Sequence, residues 1–312
     1  MNLMDLAENF STEEKAIAFL EAKLWPDGPV CPHCGLLGEA FRMESKPTTK
    51  KENRIRPGLW KCSGCRETFR VTVGTIFEDS HIPLHKWLMA MHLMCASKKG
   101  ISAHQLHRML GVGYRAAWFM AHRIRYAMTD TSEVKLSGPD KIVEADETYV
   151  GGKQKGMRGR PSVYNSNKTP VVALVERKGK VRSFPVERVT ASNLKPILAQ
   201  FVSPEAHLMT DENTVYDYTG TRFAAHSAVN HAQGEYSRIE FGKLVTTNTV
   251  EGFFSLLKRG VYGTFHHVGR QHLHRYCAEF DFRYNAREVT DGERADLAVK
   301  GVQGKRLTYR ER

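Results

Sequence analysis

Three acidic residues lie in sequence settings that could bring metal ligands together. Asp146 lies in the run 142–150, where apolar and polar residues alternate as in a strand. Asp211 ends a second short apolar run, 207–211, and Glu251 lies on a predicted helix. Two aspartates at strand ends and a helical glutamate can hold a pair of divalent ions over one phosphodiester.

The choice among the acids of the first run follows from strand geometry. Residues two apart on a strand share a face, so Glu144 and Asp146 are expected on one side and Glu147 on the other. An acid among apolar residues is costly unless an ion or hydrogen bonds satisfy it. We predict Asp146 as the site residue, because it lies nearer the end of the strand and the glycines at 151–152.

The predicted helix from Thr249 to Arg259 has an apolar stripe and a polar face. Glu251 and Lys258 are seven residues apart on it, about two turns, so both can meet one strand of DNA. We predict that Glu251 helps to hold a metal and that Lys258 binds a phosphate or an adjacent base. A surface pair of no functional consequence is the alternative interpretation.

The predicted ligands of this site are all carboxylates. Hard oxygen donors suit Mg²⁺ or Mn²⁺. Two such ions would serve the attacking and leaving oxygens of an in-line displacement at phosphorus. The sequence therefore predicts a two-ion magnesium or manganese site.

The charge of the chain favours DNA as a partner. Its 312 residues include 46 basic and 34 acidic ones, a formal charge of +12. The segment 84–129 contains no Asp or Glu, and its basic residues are Lys86, Lys98, Lys99, Arg108, Arg115, Arg123 and Arg125. No apolar run approaches the roughly 18 residues that span a membrane, and the N-terminus lacks a secretion-signal pattern. We expect no membrane partner and a cytoplasmic, nucleoid-associated protein.

Four of the six cysteines form two CxxC pairs, Cys31 with Cys34 and Cys62 with Cys65. Two such turns can present four thiolates to one tetrahedral ion, which predicts a structural zinc ribbon. The 27 residues between the pairs exceed the usual spacing, and the polar segment 44–56 is interpreted as an insertion at a hairpin tip. The other two cysteines, Cys95 and Cys277, are expected to be buried small residues.

A helix–turn–helix pattern follows the ribbon. Ser102 is expected to cap a helix that ends at Leu110, and 111–113 forms the turn before a second helix. In a DNA-binding unit of this kind the second helix enters the major groove. Its candidate DNA contacts are Tyr114, Arg115, Arg123 and Arg125. An ordinary helical hairpin with a basic outer face is the alternative.

The pattern predicts an α+β multidomain protein with a mixed sheet in its α/β catalytic domain. Strands are predicted at 142–150, 170–177, 180–187 and 207–211, and helices at 192–202, 248–259 and 270–287. The predicted organisation is an N-terminal helix and zinc ribbon at 1–80, a helix-turn-helix at 81–130, a linker at 131–140, the catalytic domain at 141–290 and a loosely held polar tail at 291–312.

In this order, the motifs resemble the ISXO2-like (IS1595 family) transposases of insertion sequences, over nearly the whole chain. The matching stretches are Asp146-Glu147-Thr148-Tyr149-Val150-Gly151-Gly152-Lys153, Thr210-Asp211, 248–260, 262–268 and Glu279-Phe280-Asp281-Phe282-Arg283-Tyr284-Asn285.

The resemblance implies a DDE catalytic domain of ribonuclease H-like fold that cuts or nicks transposon ends and joins their 3′-hydroxyl groups to target DNA. It implies Asp146 and Asp211 as metal ligands and Lys258 as the basic partner. Related elements have either Asn or Glu at the third position, and this chain has both Asn248 and Glu251. Glu251 is favoured, because a carboxylate binds a hard cation more strongly than a neutral amide does.

Further DNA contacts are expected around this site. The basic insert 151–168 is interpreted as a flexible loop that clamps DNA. The candidates in the insert and on the helix are Lys153, Lys155, Arg158, Arg160, Lys258 and Arg259. Because two DNA ends must be paired, self-association on DNA is expected.

The remaining alternatives concern both residues and function. His231 is favoured as a structural histidine over a site residue, and Tyr262, His266 and His267 either contact a DNA end or pack the domain. A ribonuclease H-like nuclease or resolvase that cuts without joining is the first alternative function. A non-catalytic DNA-binding regulator derived from a transposase is the second.

Overall fold

A computed structural model describes residues 5, 7–8, 10–44, 55–136, 138, 141–152, 168–240 and 242–308. The chain folds into two compact units. The first unit comprises Met1–Thr129 with Val289–Arg312, and the second comprises Asp130–Glu288. Within the described ranges, no helix combines the length and the apolar content needed to cross a membrane.

The helices are α1 (Glu13–Leu24), α2 (Leu84–Ala96), α3 (Ala103–Leu110), α4 (Tyr114–Ala127), α5 (Ala191–Phe201), α6 (Asp217–Gly220), α7 (Asn248–Gly260), α8 (Leu273–Asn285) and α9 (Asp291–Lys300). The strands are β1 (Ala40–Arg42), β2 (Trp60–Cys62), β3 (Thr68–Phe69), β4 (Ile142–Val150), β5 (Thr169–Glu176), β6 (Val181–Pro185), β7 (His207–Thr210), β8 (Ala225–Ala228), β9 (Arg238–Glu240) and β10 (Lys243–Val245). Short 3-10 turns lie at His231–Gln233 and Arg270–His272, and a π turn lies at Val261–Phe265.

Helices α3 and α4 of the first unit follow the predicted helix–turn–helix order. The Ser102 side chain accepts a hydrogen bond from the Gln105 backbone N–H and caps α3, as expected. Gly111 ends α3 in the left-handed region, with φ of 59°, a conformation that glycine adopts without steric cost. Leu106 and Ile124 are fully buried, so the two helices share apolar contacts.

Residues 291–300 of the predicted polar tail instead form a packed helix. Helix α9 begins with a capping box between Thr290 and Glu293 and contacts α2 of the first unit. Ala295, Ala298 and Val299 are buried at helical spacing. For residues 291–300 the expectation of a loosely held segment was therefore wrong, because three small apolar residues give an otherwise polar helix one face for burial.

Strands β1, β2 and β3 form a small antiparallel sheet around the cysteine pairs. Arg42 at the end of β1 pairs with Trp60 at the start of β2, so the polar segment 44–56 connects two antiparallel strands. Residues 45–54 of that segment lie outside the described residues. The sheet has only a small apolar cluster, in which Trp25 makes edge contacts with Trp60 and Phe69.

The four thiol sulfurs of this sheet lie at the spacing of a metal site. The Sγ atoms of Cys31 and Cys65 are 3.7 Å apart, and those of Cys34 and Cys62 are 3.6 Å apart. Four sulfurs at about 2.3 Å from one tetrahedral zinc would be separated by about 3.8 Å. The cluster therefore fits a structural zinc ion. Cys95 and Cys277 are buried elsewhere, as predicted.

The second unit is built on a five-stranded mixed sheet in the order β6-β5-β4-β7-β8. Strands β6, β5 and β4 are antiparallel, and β4, β7 and β8 run parallel. Every residue of β5 is buried. Its Val171, Ala173 and Val175 pack with helices α7 and α8, whereas Val172 and Leu174 pack with α5. Helices therefore cover both faces of the sheet.

Helix α7 is anchored by the apolar stripe predicted from its sequence. Its Val250, Phe253, Phe254 and Leu257 are all buried against the sheet. Removing a buried phenylalanine side chain from such a core costs about 3–5 kcal/mol. The polar face of α7 consequently points away from the sheet.

Zinc should hold the small sheet of the first unit together, since its core is too small to do so alone. We expect the purified protein to contain one zinc per chain and Cys62→Ser to lose it and melt at a lower temperature. Zinc release measured with a colorimetric chelator, together with thermal unfolding, tests this. Cys277→Ala is the matched control and should retain the zinc; zinc-free wild type with an unchanged melting temperature would contradict the assignment.

Candidate active site

Two of the predicted carboxylates meet at the end of two parallel strands. The last described pair between β4 and β7 joins Glu144 to Met209. Two residues further along, Asp146 and Asp211 lie at the same level on their respective chains. Their carboxylate oxygens and one oxygen of Glu147 all lie within 4.8 Å of one another.

Glu147 is a member of this group that the sequence argument did not select. Its carboxylate accepts hydrogen bonds from Asn213 Nδ2 at 2.7 Å and from the Tyr216 hydroxyl at 2.9 Å. Tyr216 belongs to the apolar cluster on the α5 side of the sheet, so the predicted alternation of side chains is kept. The carboxylate nevertheless lies close to that of Asp211, at a point of β4 beyond its last pair with β7.

The three carboxylates form a concentrated negative charge. Burial, followed by repulsion from Asp211, raises the pKa of Asp146 to about 7. Burial also raises the pKa of Glu147 and that of Asp211. One backbone N–H, that of Glu147, donates to Asp146 at 2.7 Å and offsets part of this effect.

This donor set fits a hard divalent cation. It consists of oxygen atoms only, on the side chains of Asp146, Glu147 and Asp211. Carboxylate oxygens are the ligands that Mg²⁺ and Mn²⁺ prefer, in contrast to the thiolates of the first unit. A bound cation would also remove the repulsion that raises the pKa of Asp146.

Glu251 lies near this group and outside it. It is on the exposed face of α7, with 47% of its side chain accessible. Its carboxylate accepts a hydrogen bond from the Thr247 hydroxyl at 3.0 Å and lies 3.5 Å from His231 Nε2. Its charge contributes to the raised pKa of Asp146, so the two carboxylates are electrostatically coupled.

His231 contacts Glu251, and its predicted structural role stays a prediction. Its Nε2 lies 3.2 Å from the Thr247 hydroxyl, and its backbone N–H donates to Glu212 at 2.8 Å. Glu212 directly follows Asp211. The turn that carries His231 is thus tied to the end of β7.

The other predicted residues of α7 share its exposed face. Asn248 opens the helix, and Lys258 and Arg259 lie in its last turn. The Arg259 Nε donates to the backbone oxygen of Ser255 at 3.1 Å. Basic groups near the C-terminal end of a helix are stabilised by its dipole and remain available to a phosphate.

Of the four predicted DNA contacts on α4, two are exposed and two are buried. Tyr114 and Arg115 are exposed at its first turn, and the Tyr114 ring stacks on His104 with centroids 4.2 Å apart. Arg123 and Arg125 are buried, at 5% and 2% exposure. Arg123 donates to the backbone oxygens of Glu78 and Leu307 within the first unit.

The prediction that Arg123 and Arg125 contact DNA was therefore wrong. The second half of α4 is surrounded by the first unit's own core, and its arginines serve internal contacts. The remaining candidates of the basic insert, Lys153, Lys155, Arg158 and Arg160, lie outside the described residues.

Two models of transposase domains match this chain. The model of the ISXO2-like transposase domain matches residues 135–285, and that of the transposase zinc-ribbon domain matches residues 11–68. The first match includes both strands and the helix that carry the candidate site, and the second includes all four clustered cysteines.

A relative from Halobacterium salinarum is similar along almost its full length. It is described as an uncharacterized protein in transposable element ISH50. The two sequences are 28% identical over 296 residues, which is 88% of this chain and 92% of the relative. With two domain models of one transposase family matching in the same order, the chain belongs to the ISXO2-like (IS1595) transposases.

Proposed function

We propose that this transposase binds the ends of its element, breaks phosphodiester bonds there with the help of divalent ions, and joins the 3′-hydroxyl ends to target DNA. The observation that carries the proposal is the meeting of the Asp146 and Asp211 carboxylates at the ends of adjacent parallel strands. Both acids lie in the segment matched by the transposase domain. A mixed sheet with helices on both faces supports a ribonuclease H-like assignment for it.

In this proposal the acids of the sheet would hold the divalent ions. Asp146 and Asp211 are the ligands from the strands, and Glu147 is within reach as a further oxygen donor. When bound, a pair of Mg²⁺ or Mn²⁺ ions supplies the positive charge for in-line displacement at phosphorus. Tyr216 and Asn213 fix the direction of Glu147 by their hydrogen bonds.

The exposed face of α7 completes the proposed site. Glu251 is favoured as the third catalytic residue over Asn248, since both are exposed on this face and only Glu251 offers a carboxylate. Lys258 lies about 10 Å further along the helix, at 1.5 Å per residue, where it can hold a neighbouring phosphate. Arg259 adds a second positive charge at that end.

DNA recognition is proposed for helices α3 and α4. Tyr114 and Arg115 are exposed at the N-terminal end of α4, the part of a recognition helix that usually meets base edges. The stacked His104 ring limits the directions available to Tyr114. Because two DNA ends have to be paired, self-association on DNA is part of the proposal.

The central test compares wild type with Asp211→Asn on end DNA, a target plasmid and Mg²⁺. We expect wild type to give cleaved ends and joined products. The variant should lose more than roughly 100-fold of this activity, because even an outer-shell metal partner is worth about 10–100-fold. Cutting without joining would favour a nuclease, and no reaction by either protein with DNA binding intact would favour a regulator.

Thermal unfolding of wild type and Asp211→Asn is a second test of the proposed metal site. Mg²⁺ should raise the melting temperature of wild type, because it neutralises the clustered carboxylates of the folded state. Asp211→Asn should lose this Mg²⁺ effect and melt no lower than wild type without metal, since it removes a repelling charge. An equal Mg²⁺ effect in both proteins would place the ion elsewhere.

The third catalytic residue can be assigned by comparing Glu251→Gln with Asn248→Ala. Both changes are on the exposed face of α7, so we expect neither to lower the melting temperature by much. Joining should fall strongly in Glu251→Gln and remain in Asn248→Ala. The reverse result would transfer the role to Asn248.

The role of α4 can be tested with Arg115→Ala. Loss of an arginine that contacts a base costs about 1–3 kcal/mol, so the Kd for end DNA should rise roughly 5–150-fold. Fluorescence anisotropy with end DNA and with scrambled DNA of equal length measures this. An equal loss on both DNAs would show that Arg115 contacts phosphate and not bases.

A further inference from the structure

We infer that the buried carboxylate of Glu144 is a positioning residue, which holds in register the three elements that carry the candidate acids. The inference rests on the proposed function, because it concerns the same site. Glu144 has no exposed side-chain surface and lies on the α7 side of β4. Its contacts join β4 to the start of α7 and, through one arginine, to β7.

The first set of contacts fixes the beginning of α7. One carboxylate oxygen of Glu144 accepts hydrogen bonds from the backbone N–H groups of Thr249, at 2.7 Å, and Val250, at 3.1 Å. The other accepts one from the Thr249 hydroxyl at 2.8 Å. The first N–H groups of a helix lack partners within the helix, and they lie at the positive end of its dipole. A buried carboxylate at this end accepts their hydrogen bonds and places a negative charge beside the positive end.

The second set of contacts runs through Arg177, which follows β5. Its Nε and Nη2 donate to the same Glu144 oxygen at 3.0 and 2.8 Å. Its Nη1 donates to the Leu244 backbone oxygen at 2.8 Å, and its Nη2 to that of Thr246 at 3.3 Å. Nη2 also lies 3.3 Å from Met209 Sδ on β7.

Each anchored residue lies two positions before a candidate ligand. Glu144 precedes Asp146, Met209 precedes Asp211, and Thr249 precedes Glu251 by two residues.

The Glu144–Arg177 ion pair therefore acts on residues next to the candidate ligands and does not include the ligands themselves. Metal and phosphate chemistry tolerate displacements of only about 0.5 Å. A group that contacts all three elements can therefore control how well their acids converge, through the backbone at the start of α7 and, by way of Arg177, through the Met209 side chain of β7.

Net stabilisation is a weaker explanation for this ion pair. The cost of removing the Glu144 carboxylate from water offsets much of its attraction to Arg177, whose side chain remains 22% exposed. The same unit contains a buried pair between Glu279 and Arg283, four residues apart on α8. That pair lies within one helix and includes none of the site-bearing elements, which makes it a matched control.

The informative substitution is Glu144→Gln. Glutamine keeps the shape of glutamate but places two N–H donors among groups that are themselves donors, so at least one anchor is lost. We expect the Mn²⁺ affinity of the carboxylate site to fall roughly 10–100-fold, as for other outer-shell partners of a metal site. Glu279→Gln should lose stability without changing that affinity.

The experiment titrates Mn²⁺ alone into the zinc-loaded, full-length protein and follows free Mn²⁺ by electron paramagnetic resonance. Asp211→Asn identifies which binding belongs to the carboxylate site, and thermal unfolding reports stability for every variant. A weaker site in Glu144→Gln and an unchanged one in Glu279→Gln would support the positioning role. Equal affinities in Glu144→Gln and wild type would overturn it while leaving the proposed function intact.

Two further outcomes are decisive. If wild type has no Mn²⁺ site that depends on Asp211, the proposed metal chemistry fails, and the positioning role fails with it. If Glu144→Gln does not fold, Arg177→Lys replaces it, because lysine keeps the charge but cannot make the paired contact with Glu144. An Mn²⁺ affinity in Arg177→Lys equal to that of wild type would then overturn the inference.

Discussion

Mutual repulsion among Asp146, Glu147 and Asp211 is the constraint that the second unit has to overcome. Like charges this close to one another oppose the compact state, and burial, followed by repulsion from Asp211, raises the pKa of Asp146. Apolar burial provides the opposing free energy. Strand β5 is buried along its whole length, and helices cover both faces of the sheet beside the acids.

The geometry of the carboxylates follows from parallel strand pairing and from the ion pair between the buried Glu144 and the half-buried Arg177. Pairing of β4 with β7 sets Asp146 level with Asp211. Glu144 and Arg177 connect these strands to the first turn of α7, which brings Glu251 to the same side. Acids from separate parts of the sequence therefore lie near one another, with Asp146 and Asp211 in the carboxylate group and Glu251 beside it.

The two candidate metal sites differ in donor chemistry. The four thiolates of the ribbon are soft ligands at a spacing that fits zinc, and the group of Asp146, Glu147 and Asp211 in the second unit consists of hard oxygen donors. Zinc would act in the first unit as a substitute for a core that a small three-stranded sheet cannot provide. Mg²⁺ or Mn²⁺ would act in the second unit on the substrate.

The sequence predicted those features that depend on local pattern. The strand at 142–150, the apolar stripe of α7 and the Ser102 cap were all visible as periodicity or capping residues. Glu147 was missed, because its position in the group depends on where β4 stops pairing with β7. The burial of Arg123 and Arg125 was missed for the same kind of reason, since distant segments of the first unit cover them.

The proposal that Asp146 and Asp211 share divalent ions is tested most directly by diffraction from crystals soaked in Mn²⁺. Anomalous scattering collected near the manganese edge locates the ions without reference to activity. The proposal predicts manganese peaks in contact with the carboxylates of both Asp146 and Asp211. Fully occupied manganese elsewhere, with none at these two carboxylates, would contradict it.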